Sequence, residues 1–148
     1  MSNLGILDVS LLASLASLLY GVVLAYMIES KPAGDEKAES IAAAIREGAT
    51  AYLARQNKTV AIIGILITFI VLRYFGFVVA LGFVMGAVAS MFAGYVGMMV
   101  AVRANVKVAE AAKYGIAPAF HLAYKGGAVT GFFVVGLALL SLTLFTRF

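Results

Sequence analysis

The sequence predicts an all-α, polytopic integral membrane protein with four transmembrane helices, the second and third of them extended into the cytoplasm. Three observations predict it. Of the 148 residues, 64% are hydrophobic and only 12% charged, with a mean hydropathy of +1.04, whereas a water-soluble domain carries about 25% charged residues. Four apolar segments stand out, each bounded by charged or turn-forming residues. The basic residues gather beside those segments instead of forming a stripe, so the net charge of +4 reads as membrane topology and not as a nucleic-acid footprint. The same composition excludes disorder. Cys is absent and His121 is the single histidine, which excludes disulfides, zinc-thiolate sites, cysteine catalysis and a histidine-based metal cluster.

The whole chain, 1–148, reads as a single membrane domain with crossings at about 4–28, 56–75, 77–102 and 126–146. The first crossing could be mistaken for a signal peptide. Its apolar run, Leu11 to Ile28, is longer than the usual roughly 7–15-residue core and no basic segment precedes it, which reads as a retained helix. The second is short of length, because only 14 residues separate Lys58 from Arg73. At 1.5 Å per residue that is about 21 Å, against about 30 Å of hydrocarbon. It must extend upstream through Tyr52-Leu53-Ala54 or downstream through Tyr74 to Val79, with Lys58 and Arg73 able to snorkel to the interfaces. The third and fourth runs, from Phe77 to Val102 and from Gly126 to Phe145, reach the roughly 20 residues a span requires.

Lys31, Lys37, Arg46, Arg55 and Lys58 lie between crossings one and two, and Arg103, Lys107, Lys113 and Lys125 between three and four. Arg73 and Arg147 alone fall on the other side. The positive-inside rule then predicts a multi-pass cell-membrane protein with cytoplasmic segments 29–55 and 103–125 and both chain ends outside. Within the first cytoplasmic segment, Lys31-Pro32-Ala33-Gly34 breaks the helix, and Ile41, Ile45, Gly48, Ala49, Tyr52 and Leu53 recur at helical spacing. An amphipathic helix running into crossing two is the first reading and a helix lying on the membrane surface the second. Five acids balance five bases from Glu29 to Lys58, which weakens attraction to anionic lipid and so the second reading. Ala101 to Ala112 extends crossing three, with Lys107 and Glu110 three apart on one face, until Gly115 and Pro118 end it.

Rows of small residues recur: Ala13, Ser17, Gly21 and Ala25 in crossing one, Gly82, Gly86, Ser90 and Gly94 in crossing three, Gly127 and Gly131 in crossing four. In lipid such rows let backbones approach closely, and packing against neighbouring helices outweighs a pathway lining as their reading. Proton relays need ionisable groups within the membrane, and the apolar cores contain none. Asp8 and Glu29 lie at the two ends of crossing one, where a wetted terminal residue is the plainer role. His121 follows the Pro118 break, at the cytoplasmic interface, with no partner in sequence for proton transfer. Lys125-Gly126-Gly127 is the nearest thing to a phosphate cradle, and a helix-entry turn explains it as well. No catalytic, cofactor-binding or metal-ligating residue emerges.

Three stretches are more specific. Residues 86–112 read GAVASMFAGYVGMMVAVRANVKVAEAA, residues 45–60 read IREGATAYLARQNKTV, and residues 123–140 read AYKGGAVTGFFVVGLALL. In this order they resemble the N-terminal part of the membrane-bound, ion-translocating inorganic pyrophosphatases. That family carries Ile-x-Glu-Gly-Ala-x-Ala-Phe-Leu before the second helix and Gly-Met-x-x-Ala-x-x-Ala-Asn-Val-Arg-Thr-Ala closing the third. Arg-Gly-Gly-Ala-Val-Met-Gly opens its fourth. The resemblance covers roughly residues 38–141, the first helix matching in character only. Here Lys107 and Val108 stand for Arg-Thr, Lys125 for Arg and Thr130 for Met; the lysines keep the charge but lose a planar fork.

The resemblance implies a homodimeric pump that couples hydrolysis of magnesium pyrophosphate to transport of protons or sodium, with potassium required in some members. The family's aspartate-rich signature, Asp-x-Gly-Ala-Asp-Leu-Val-Gly-Lys-Val-Glu, is absent from this sequence. It belongs to a later helix, so no catalytic, magnesium or potassium ligand of the family carries over. The chain then corresponds to the first four helices, in the outer ring, with the lipid bilayer and the remaining helices of the pump as partners. A different class, a self-contained four-helix transporter or proteolipid, would need a carboxylate near the bilayer centre. A non-catalytic membrane scaffold is the third reading.

Overall fold

Four long helices account for nearly all of the computed structural model, which describes residues 3–147: α1 (Asn3–Glu29), α2 (Glu36–Phe75), α3 (Phe77–Ala112) and α4 (Ile116–Arg147). No strand occurs among the described residues, and each helix is long and apolar enough to cross a membrane. α2 and α3, with 40 and 36 residues, are about 60 and 54 Å long, so both project well beyond the hydrocarbon layer.

Local chemistry sets the breaks. α1 ends before Pro32, and the connection turns at Gly34, whose φ of +98° lies where side chains are rarely found. Asp35 then caps α2, its carboxylate accepting the Ala38 N–H at 2.8 Å, with Glu36 and Glu39 in the first turn complementing the helix dipole. Gly76 alone, at φ +88°, separates α2 from α3, giving a tight antiparallel hairpin. Lys113, Tyr114 and Gly115 (φ +123°) separate α3 from α4.

α4 lies between α1 and α3 and packs closely against both, while α2 lies on the far side of α3. α1 touches α3 only sparsely and, among the described residues, does not pack against α2, its neighbour in sequence. The core sits where α1, α3 and α4 converge: Leu24 and Ile28, Ala104, and Leu122, Val129 and Phe133 are all buried together. Close approach comes from glycine. Gly21 faces the Phe133 ring, Gly97 faces Thr130, Gly126 faces Ala104 and Gly136 faces Leu18. A polar stitch reinforces the α1–α4 contact, Ser17 Oγ donating to the Phe132 carbonyl at 2.9 Å, with Tyr20 edge-on to Phe132. Elsewhere large apolar side chains point outward; Ile62, Ile63, Ile65, Leu66, Phe69 and Ile70 of α2 are all exposed, a surface suited to lipid and not to water.

Four local expectations are corrected. α4 begins ten residues before Gly126, because Pro118 falls in its first turn, where the missing N–H has no helical acceptor to lose. Lys125-Gly126-Gly127 is therefore mid-helix and not a helix-entry turn. The small face of α4 toward its neighbours is built from Gly126 and Gly136, whereas Gly127 and Gly131 have nothing within 4 Å of a would-be Cβ. On α2 the buried residues are Ala42 and Leu53, with Ala38 and Ala49 half-buried, while Ile41, Ile45 and Tyr52 are exposed. The buried face of α2 therefore keeps Leu53 but leaves Ile41, Ile45 and Tyr52 outside. Finally, Lys107 and Glu110 do not pair; each turns to a different partner.

Candidate functional site

The polar chemistry sits at the two ends of the bundle. At one end, Asp8 of α1 pairs with Arg147 of α4. At the other, Glu29 lies 3.8 Å from Arg103 and 4.0 Å from Lys107. Both sequence-identified carboxylates of crossing one are thus exposed ion-pair members, and the N-terminal part of α1 and the C-terminal part of α4 lie at the same end of the bundle.

Lys107 is the most constrained cation. Only 8% exposed, it donates through Nζ to the carbonyls of Ile28 (3.1 Å) and Glu29 (2.6 Å). These are the last carbonyls of α1, where helical donors run out and only the Lys31 N–H still reaches Ile28 (3.1 Å); a positive charge there also meets the negative end of the helix dipole. Sequence spacing offered Glu110 as the partner; the tertiary acceptor, 78 residues away in the chain, leaves no local signal.

Glu110 instead pairs with Lys113 at 2.7 Å. That hydrogen bond, with the added charge of Glu110 and Asp35, holds the Lys113 ammonium above the usual lysine range despite some opposing desolvation. The raised value means the pair is complete below the ordinary lysine pKa and weakens as pH climbs through the raised one. Glu110 also approaches the α1–α2 connection so closely that a Cβ on Gly34 would sit 2.6 Å from its Oε2.

These residues border a pocket of about 430 Å³ that collects Lys31 from the α1–α2 connection, Lys107 and Glu110 from α3, and His121 and Lys125 from α4. His121, exposed, has cations around it and no paired carboxylate of its own among the described ion pairs. A second, larger hollow of about 840 Å³ runs between α3 and α4 in the apolar zone, floored by Gly82, Gly86, Ala89, Gly94, Ala138 and Ser141. Gly86 and Gly94 have nothing within 4 Å of a would-be Cβ, so part of the α3 small row is open and not packed within the bundle.

Among the described residues no group of three or more His, Asp or Glu converges as a metal site, and Asp8, Glu29 and Glu110 are already committed to basic partners.

Comparison with known proteins gives these features a context. The family described as inorganic H+ pyrophosphatase matches residues 15–148. The chain is 45% identical over 131 residues to the K(+)-insensitive pyrophosphate-energized proton pump of Methanosarcina mazei, covering 87% of this chain and 20% of that protein. It is 40% identical over 131 residues to the K(+)-insensitive pyrophosphate-energized proton pump 2 of Moorella thermoacetica (86% and 19%). To the K(+)-stimulated pyrophosphate-energized sodium pump of Thermotoga maritima it is 43% identical over 116 residues (77% and 16%). It spans about a fifth of the length of such relatives. With four membrane-length helices and this match over most of its residues, the chain belongs to the inorganic H+ pyrophosphatase family and corresponds to an N-terminal part of its members.

Proposed function

We propose that these residues form the outer-ring, N-terminal packing unit of a membrane pyrophosphatase that couples diphosphate hydrolysis to translocation of protons or sodium, and that the catalytic aspartates belong to helices outside this chain. The observation that carries the reading is the family match over a fifth of the relatives' length, joined to a face that is apolar, small-residue-lined and open along α3 and α4. Close-packed transmembrane neighbours need such a face, and the remaining helices of the pump are its natural occupants. The complete enzyme would require magnesium and, in some relatives, respond to potassium; none of the side chains here is assigned to either ion. Homodimerisation likewise belongs to the complete pump.

The purified 148-residue chain is expected to hydrolyse no magnesium pyrophosphate above the protein-free rate, whereas a longer protein containing it and the downstream helices does so. Release of orthophosphate, followed in detergent and in liposomes, checks this. Robust turnover by the isolated chain would sink the assignment of chemistry to other helices.

The reading also includes an orientation: connecting segments 29–55 and 103–125 in the cytoplasm, and both ends outside. Nine of eleven basic residues lie on the connecting side, the bias that directs insertion. Because the chain has no cysteine, single probes are easily placed. With Ser40→Cys, a membrane-impermeant maleimide should label only after the cells are opened, and with Thr146→Cys it should label intact cells. The reverse pattern would invert the topology.

A further inference from the structure

Two polar levels mark where the bilayer begins and ends on this bundle. Asp8 and Glu29 are 21 residues apart on α1, which at 1.5 Å per residue is about 32 Å. Lys125 and Arg147 are 22 residues apart on α4, about 33 Å. Both separations match the roughly 30 Å hydrocarbon layer, and Arg147 pairs with Asp8 at one level. Lys125 therefore sits at the same depth as Glu29, where headgroups meet acyl chains.

The 430 Å³ pocket opens at this level. Its cations come from three separate elements: Lys31 from the α1–α2 connection, Lys107 from α3 and Lys125 from α4. Their charges are not equally engaged. Lys107 is held by the end of α1, and Glu110, the one carboxylate in the lining, is taken by Lys113. Lys31 and Lys125 make no ion pair and no side-chain hydrogen bond among the described residues, although Lys125 is half-buried. A partly desolvated ammonium without an acceptor is costly. Ala111, Pro118 and Leu122 supply an apolar wall beside it. The pocket is cationic at its rim and apolar at its side, at the depth of a lipid phosphate.

We propose that this pocket binds a phosphate group, with Lys31 and Lys125 as its cationic clamp. Two sources carry that group, an anionic phospholipid headgroup and soluble orthophosphate. The proposal requires only that the helices cross a bilayer, not that the chain belongs to a working hydrolase, and its test reads no hydrolysis, so either reading can fail alone.

The test places the protein in vesicles of equimolar phosphatidylcholine and phosphatidylglycerol and compares spin-labelled forms of the two lipids for association with the protein. Phosphatidylglycerol should be preferred, and each lysine near the surface is worth up to about a five-fold change in association. Lys31→Gln, a substitution of an exposed side chain, should reduce the preference by itself, and the double variant with Lys125→Gln should remove most of it. Lys37→Gln, a basic residue of α2 outside the pocket and about 32 Å of helix beyond the interfacial Lys58, should leave it unchanged. In the second arm orthophosphate is titrated into phosphatidylcholine-only vesicles and its phosphorus line width is followed. Broadening that disappears in the double variant assigns the pocket to the soluble ion, and lipid preference without broadening assigns it to the headgroup. Either supports a phosphate site. Neither lipid preference nor broadening in the unmodified protein, or both persisting in the double variant, overturns it.

Discussion

Gly136→Val should destabilise the bundle more than any other single glycine replacement outside its turns. A Cβ at Gly136 would stand 2.8 Å from Cγ and Cδ2 of Leu18 and 3.2 Å from the Ser14 carbonyl oxygen. Leu18 can rotate, but the Ser14 oxygen belongs to the α1 backbone, so the whole helix must move. Overpacking of this kind costs about 1–3 kcal/mol, and valine's two methyl groups put the expected loss in the upper half of that range. Separation of α1 from α4 would also strain the Ser17–Phe132 hydrogen bond. Gly131→Ala provides the comparison, since nothing lies within 4 Å of its would-be Cβ and alanine favours helix by up to about 1 kcal/mol. Thermal unfolding in detergent, followed by circular dichroism, should show a clear drop in midpoint for Gly136→Val and none for Gly131→Ala. Equal midpoints for the two variants would mean that α1 and α4 are not in the contact described.

Lys107→Met carries the other large effect. Methionine fills a similar volume but donates nothing, so the Glu29 carbonyl loses its Nζ donor and the Ile28 carbonyl keeps only the Lys31 N–H at 3.1 Å. A hydrogen bond to a charged group contributes about 1.5–3 kcal/mol, and the charge at the negative end of α1 adds a few tenths to 1 kcal/mol. The expected destabilisation is therefore about 2–3 kcal/mol, with protease cleavage or hydrogen exchange rising first near the α1 terminus. Lys107→Arg should recover most of it, because a guanidinium also offers several donors without losing charge. If Met and Arg variants behaved alike, the carbonyl capping would not be what holds α1 to α3.

Four apolar segments and their charged flanks were readable because the bilayer imposes one length and one polarity on every span, which composition alone reveals. The motifs around Glu47, Asn105 and Gly126 pointed to the family for a different reason: they are particular strings of residues and not merely hydrophobic ones. Pairwise geometry was not readable. Hydrophobic periodicity placed the face of α2 on Ile41, Ile45, Gly48, Ala49, Tyr52 and Leu53; in the bundle Leu53 is buried and Ala49 half-buried, but Ile41, Ile45 and Tyr52 are exposed and Ala42 takes their place. Large apolar residues report an aversion to water and do not say which neighbour a helix will pack against. Likewise Gly127 and Gly131 had the regular spacing of a contact row, but Gly126 and Gly136 are the ones pressed against neighbours. Pro118 looked like a terminator, although a proline in the first turn is compatible with helix. The destination of Lys107 could not be found from spacing at all, since its acceptors are on another helix. The basic pocket escaped for the same reason, as Lys31 and Lys125 meet only through the fold.

The placement of α4 between α1 and α3 has a consequence in time. As the chain is synthesised, α2 and α3 can pair at once through their one-residue hairpin at Gly76. α1 cannot, because its main partner is α4, which is made after both of them. The 86 residues 30–115 lie between the end of α1 and the start of α4, and at about 5–20 residues per second the ribosome needs roughly 4–17 seconds to supply them. Throughout that interval α1 is a lone span with Ser14, Ser17 and Gly21 facing lipid instead of protein. The order in which these helices are made thus leaves α1 waiting for α4.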